Sequence, residues 1–205
     1  MTDQANHNHS EANNERWRVF CAVALPDNLR DTVGQHIALL RQAMPDVRAS
    51  WDRAEKLHIT LKFLGEIKQS RVASLSHAAE RAAQIIKPFE LAIEGAGAFP
   101  VNGPPRVLWL GIRDSSGSLA HLQKQLEEEC ASENFKREQR PFHPHLTIAR
   151  LRSPGGARKL AALHKETGFD AQTFAVRELL VIRSELGAGG SRYTEISKHS
   201  LGEQS

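Results

Sequence analysis

The sequence predicts an α+β fold built largely from antiparallel sheets, and three observations carry that expectation. Apolar residues recur in some segments with the alternating period of strands and in others at helical spacing. The two kinds of segment succeed one another without the regular alternation that a doubly wound parallel sheet needs. Near the end, "FAVRELLVIRSEL" and "SRYTEISKH" flank "GAGG", which reads as a terminal hairpin.

The elements come in this order. "WRVFCAVALP" (17–26) has the β-branching and closing proline of a strand. Leu29, Val33, Ile37 and Leu40 recur at helical spacing, so 27–43 is expected to be an amphipathic helix stopped before Pro45. "KLHITLKFLG" reads as a strand closed by Gly65. Val72, Leu75, Ala79, Ala82 and Ile86 mark a second helix over 68–86, ended by Pro88. "FELAIEGAGAFP" and "RVLWLGI" are strands around the turn-rich "VNGPP". Leu119, Leu122, Leu126 and Cys130 share one face of a third helix. "PFHPHLTIARL" is a strand and 155–167 a short helix, before the terminal hairpin.

Composition narrows the class. With 205 residues, 40% apolar and 25% charged, the chain suits one globular domain or two closely packed lobes. The polar stretch 1–15 is expected to be a disordered tail, with His7 and His9 solvated in it, and 16–205 a single domain. No apolar run is long enough to cross a bilayer and no apolar signal-peptide core opens the chain, so no membrane association is expected. Cys21 and Cys130 lie in apolar patterns and read as free core thiols of a cytoplasmic protein. A net charge of +3 mildly favours an anionic partner.

One four-residue phrase occurs twice: His58-Ile59-Thr60-Leu61 and His145-Leu146-Thr147-Ile148. On a strand, alternation puts the imidazole and hydroxyl of each phrase on one face and the two apolar residues on the other. Ten histidines and seven threonines give roughly a third of one His-x-Thr by chance, and about a twentieth once both apolar positions are required. Two such matches, both inside strand-like runs, point to a shared site. Attack of water at phosphorus needs a base to activate the water and an acid to protonate the leaving oxygen. Two histidines can supply both near neutral pH, with hydroxyls and cations holding the nonbridging oxygens.

These residues resemble the 2H phosphoesterases, and within them the bacterial RNA 2′,3′-cyclic phosphodiesterases, once called 2′-5′ RNA ligases. "RVFCAVALP", "LHITLKFLG", "PRVLWLGI", "RPFHPHLTIAR" and "SRYTEI" carry the resemblance, which spans Arg16 to about His199. It implies a bilobal fold of two pseudo-symmetric lobes, with antiparallel sheets flanked by helices and the active site in the cleft between them. It also implies hydrolysis of RNA ends bearing a 2′,3′-cyclic phosphate to a 2′-phosphate, with no metal or other cofactor. His58 would be the proton donor to the departing 3′ oxygen and His145 the proton acceptor that activates water. Thr60, Thr147 and Arg150 would bind phosphate oxygens. Ligation of RNA ends through a 2′-5′ linkage, or RNA-end binding without turnover, are the alternatives, and a monomer is expected.

Several other residues bear on the site. Strict alternation places Arg150 on the face opposite His145 and Thr147, so its role requires a bulge, a twist or a curled side chain. Lys62 shares the parity of His58 and Thr60 and so could reach a phosphate, although a solvated lysine at a strand end is the leading reading. His143 and His145 form an HxH pair, but no third or fourth ligand occurs at zinc spacing, and His143 reads as support for the site loop. Phe20, Phe99 and Trp109 are candidates to stack on a base, with core packing the stronger expectation. Arg137, Arg140, Arg150 and Arg152 form either a phosphate-tracking patch or a solvated rim.

Overall fold

The computed structural model describes residues 15–187 and 190–202. Among the described residues, nine strands form two sheets. Strands β1 (Arg16–Ala24), β3 (His58–Lys68), β8 (Glu178–Gly187) and β9 (Gly190–Ser200) make the first, in the order β3-β1-β8-β9. Strands β2 (Ala49–Trp51), β4 (Phe89–Phe99), β5 (Val107–Arg113), β6 (His145–Leu151) and β7 (Gln172–Val176) make the second, in the order β2-β6-β5-β4-β7. Every pairing is antiparallel. The fold is α+β, as the mixed periodicity predicts.

Among the described residues, four α-helices cover the sheets: α1 (Asp27–Ala43), α2 (Val72–Gln84), α3 (Ser118–Ser132) and α4 (Ala157–Thr167). In α1, Leu29, Val33, Ile37 and Leu40 are all buried, so its apolar stripe faces the core as its spacing requires. Asp27 in the first turn and Arg41 in the last complement the helix dipole. Helices α2 and α3 pack against each other, α2 on β8 and β9 and α3 on β3. Helix α4 packs on β4 and against α1. The helices are thus exchanged between lobes. Helix α1 leaves the first sheet and packs on the side of the second, and α3 leaves the second and packs on the first. One continuous core results, drawing Val19, Cys21 and Val181 from the first sheet and Leu108, Leu110 and Leu146 from the second.

Three sequence expectations are corrected, and one strand is added that the sequence did not predict. Gly65 does not close β3, which continues to Lys68; its positive φ of 69° is accommodated inside the strand. "FAVRELLVIRSEL" is two strands, because the chain leaves the second sheet as β7 and enters the first as β8 on either side of Arg177. The strand expected over "PFHPHLTIARL" begins only at His145. Strand β2 is three residues long, too short for its period to register in sequence.

The tail expectation for 1–15 falls on residues outside the described ones, His7 and His9 included, except at Glu15. That carboxylate lies 3.2 Å from the Arg183 guanidinium, and its carbonyl accepts a bond from the Gln69 amide. Two residues of "GAGG", 188 and 189, also lie outside the described residues, while the β8–β9 hairpin around them is present. Among the described residues no helix is long and apolar enough to cross a membrane. Cys21 and Cys130 are both buried and unpaired.

Candidate active site

His58 opens β3 at the edge of the first sheet and His145 opens β6 in the second; the two strands approach each other where the sheets meet. Each ring is held in the same way. His58 Nδ1 donates to the Lys56 carbonyl at 2.7 Å, and His145 Nδ1 donates to the His143 carbonyl at 2.8 Å. A carbonyl only accepts, so each Nδ1 carries the proton and each Nε2 is left as the nitrogen able to take or give one. The main chain two residues upstream therefore fixes the tautomer in both motifs. His143 contributes through its carbonyl, which gives physical content to the supporting role expected of it.

The strands then do something alternation does not allow. In β3, Ala22 faces Thr60 while Cys21 faces Lys62, so Leu61 is an inserted residue. In β6, Trp109 faces Thr147 while Leu108 faces Ala149, so Ile148 is inserted. Both are β-bulges one residue past the threonine, and each reverses the parity of the residues after it. Leu61 and Lys62 are both buried, as are Ile148 and Ala149. The residue three past each threonine returns to the histidine face. In β6 that residue is Arg150; in β3 it is Phe63, 48% exposed.

The bulges decide two open questions. Arg150 lies on the face of His145 and Thr147, and its charge is felt at His58, Asp52 and Tyr193. Lys62 is turned into the core, 4% exposed, with its ammonium 2.6 Å from Glu127 Oε2. Both readings of Lys62, as phosphate contact and as solvated lysine, are thereby corrected.

Aromatic rings back the histidines. The Phe20 ring lies 4.6 Å from that of His58, and Tyr193 meets His58 edge-on at 5.4 Å. Phe99 meets His145 edge-on at 5.3 Å and packs on Trp109 at 5.2 Å. Phe20 is buried, and Trp109 fills the space left by the absent side chain of Gly97. These rings wall the site, while Phe63 is about half exposed, with the Arg18 guanidinium over its ring, 4.7 Å from the centroid. Sequence reading missed Phe63 because alternation puts it on the wrong side.

Burial lowers the pKa of His58; the Lys56 carbonyl opposes this and the Arg150 charge adds to it. Burial raises the carboxyl of Asp52 despite the cations Arg150 and Lys56 nearby. Burial, followed by the Asp52 charge, raises the Tyr193 phenol. Asp52 and Tyr193 were also missed: Asp52 directly follows the three-residue β2, and Tyr193 reaches His58 only through the closing hairpin. Of the arginines, Arg140 pairs with Glu138 at 2.7 Å and Arg152 donates to Ser50 Oγ at 2.7 Å. Among the described residues no group of three or more His, Cys, Asp or Glu side chains converges as metal ligands would.

Comparison with known proteins identifies the family. The family model of the 2′-5′ RNA ligase superfamily matches residues 26–188. An RNA 2′,3′-cyclic phosphodiesterase of Methanothermobacter thermautotrophicus is 34% identical over 185 residues, 90% of this chain and 98% of the relative. One from Escherichia coli is 31% identical over 91% of this chain and 98% of its own. Among solved structures, Escherichia coli LigT complexed with 3′-AMP superposes with a TM-score of 0.70 at 29% identity, covering 92% of this chain and 100% of that one. A Thermus thermophilus protein reaches a TM-score of 0.73 at 26% identity, covering 91% and 100%. Both His-x-Thr strands fall within the matched span, and the chain belongs to the 2′-5′ RNA ligase superfamily.

Proposed function

We propose that this protein hydrolyses RNA ends carrying a 2′,3′-cyclic phosphate to a 2′-phosphomonoester, by metal-independent acid–base catalysis between His58 and His145. The observation that carries the reading is the duplicated tautomer lock, which leaves one Nε2 on each motif strand free for proton transfer. His145 Nε2 takes the proton of a water attacking phosphorus, and His58 Nε2 gives its proton to the departing 3′ oxygen. Thr60, Thr147 and Arg150 hold the nonbridging oxygens as charge develops on them. The P–O3′ bond breaks as the water–phosphorus bond forms, and the phosphate stays on the 2′ oxygen.

The depressed pKa of His58 bears directly on its role as donor. In the free protein, burial and Arg150 favour its neutral form; a bound phosphate anion supplies the opposite charge that favours the imidazolium. Substrate thus charges its own acid. The half-exposed ring of Phe63 offers a stacking surface for a base beside the phosphate. The relatives named RNA 2′,3′-cyclic phosphodiesterase support the substrate class. We assign the protein to the cytoplasm, on its two unpaired buried thiols, and take a monomer as the working unit because both motifs lie on one chain.

A defined oligonucleotide ending in a 2′,3′-cyclic phosphate tests the reading, incubated in EDTA with and without a 5′-hydroxyl partner strand. The expected product is the 2′-phosphomonoester in both arms. A 3′-phosphomonoester, or activity lost in chelator and restored by one divalent ion, would overturn the mechanism. A joined strand would identify ligation, and binding without turnover would leave an RNA-end binder.

A further inference from the structure

The bulge at Leu61 turns Lys62 into the core of the first lobe, where its ammonium is bonded on two sides. It donates to Glu127 Oε2 at 2.6 Å and to the Lys136 carbonyl at 2.9 Å. The same carboxylate oxygen accepts the Glu138 amide at 3.3 Å. Lys136 and Glu138 belong to the segment 133–144, which has no helix or strand and runs from α3 on the first lobe to His145 on the second. Its start is also gripped: the Arg71 guanidinium donates to the Glu133 carbonyl and lies 4.5 Å from the Phe135 ring centroid. Its end supplies the His143 carbonyl that locks His145.

Strand geometry does not call for a charge at this point. The matching position after the bulge in β6 is Ala149, which is buried and has no polar side-chain group. Stability does not call for one either, because a buried ion pair replaced by apolar residues of similar volume is often neutral or stabilising. Glu127 Oε1 is buried with no partner among the described residues, which is a further cost. What the pair does achieve is a fixed link between the strand of His58 and the segment that ends at His145.

We propose that Lys62 and Glu127 are positioning residues that set the placement of His145 relative to His58 by clamping segment 133–144 to β3. The proposal rests on the two-histidine reading of the site. It makes the distance between acid and base depend on a bond made on the far face of the strand, two residues past Thr60. Small errors in that distance are costly, because a misplacement of about 1 Å can cost roughly a hundredfold in rate.

The test is the double variant K62M/E127L, which removes both charges together so that neither is left buried alone. On a cyclic-phosphate dinucleotide, kcat is expected to fall roughly tenfold while KM stays within about twofold, since bound phosphate still meets Thr60, Thr147 and Arg150. Amide hydrogen exchange across 133–144 should accelerate while the helices and β1 keep their protection. A folded double variant with wild-type kcat overturns the proposal, as does unchanged exchange across 133–144 whatever the activity. Should the double variant fail to fold, R71Q decides, because it loosens the same segment from a partly exposed side chain; wild-type kcat and exchange there overturn the proposal. Absence of turnover in the wild-type protein would sink the functional reading itself, leaving exchange to judge the clamp.

Discussion

His58 and His145 share a tautomer lock and differ in everything around it. His58 sits behind Phe20 and Tyr193 within reach of the Arg150 charge, while His145 has Phe99 at its edge. The division of labour can be separated chemically. On cyclic-phosphate RNA, H58A and H145A should each lose at least roughly a hundredfold in rate. On a nitrophenyl phosphodiester, whose leaving group needs no proton, H58A should regain much of the loss and H145A should not. Recovery by H145A alone would exchange the two assignments. The pH profile gives a second handle. A donor must be protonated, and a lowered pKa means His58 loses its proton at a lower pH than an ordinary histidine. The alkaline limb of kcat/KM, which reports the free protein, is therefore expected below the usual histidine range. R150M removes one of the causes, so its limb should move to higher pH even as its rate falls. Both limbs are macroscopic constants of a coupled pair, so the direction of movement is the readout. An unmoved or lower limb in R150M would break the link between Arg150 and the acid.

Among the elements, the two bulges and the helix pair α1–α4 do the positioning. Each bulge adds one residue, and that single insertion turns Arg150 to the face of His145 and Thr147 and Lys62 toward Glu127. Helices α1 and α4 meet at a buried histidine pair. His164 Nε2 donates to the Trp109 carbonyl at 3.0 Å, so its Nδ1 accepts from His36 Nε2 at 3.1 Å. These bonds leave His164 neutral, and the lowered pKa of each ring favours the neutral form of both. Burial, and after it the repulsion that His164 would exert if both rings were protonated, push His36 down to about 4, while burial lowers His164 against the Trp109 bond. A lowered folded pKa means the unfolded chain takes up protons first. Stability from the neutral pair is thus complete above the ordinary histidine value of about 6.5, and it declines as pH falls toward 4. Urea unfolding should show a loss of about 2 kcal/mol between pH 7 and pH 4.5, smaller in H36F. Equal pH dependence in the variant would place the acid sensitivity elsewhere, for example at His199, which burial also lowers.

At the scale of the molecule, the exchanged helices make two lobes share one interior. The core cluster takes side chains from both sheets and from α1, α2, α3 and α4. Neither sheet buries its apolar face without a helix that the other sheet's strand leads into. Calorimetry should therefore give one unfolding transition, with equal calorimetric and van't Hoff enthalpies. Two resolved transitions would mean that the lobes hold separate cores. A shared interior also suits the chemistry, because each lobe carries one His-x-Thr histidine and their separation is fixed only while the lobes move together.

The range over which each interaction acts set how much was legible in the sequence. Helix α1 could be read to the residue because its stripe and its boundary are local, and so could the faces of His58, Thr60, His145 and Thr147 within their strands. The repeated phrase determined that each imidazole shares a strand face with the hydroxyl two residues on, since period-two geometry acts over three residues. The packed structure decided the course of each strand beyond its threonine. A bulge is a relation between a strand and its partner, so nothing in Leu61 or Ile148 announces it; the register against β1 and β5 does. The same holds for Lys62, whose charge is typical of a solvated residue and becomes a buried clamp only when α3 presents Glu127. It holds too for β2 and Asp52, placed by pairing with β6. Local sequence sets which face a side chain starts on; the neighbouring strand's register decides the face on which it ends.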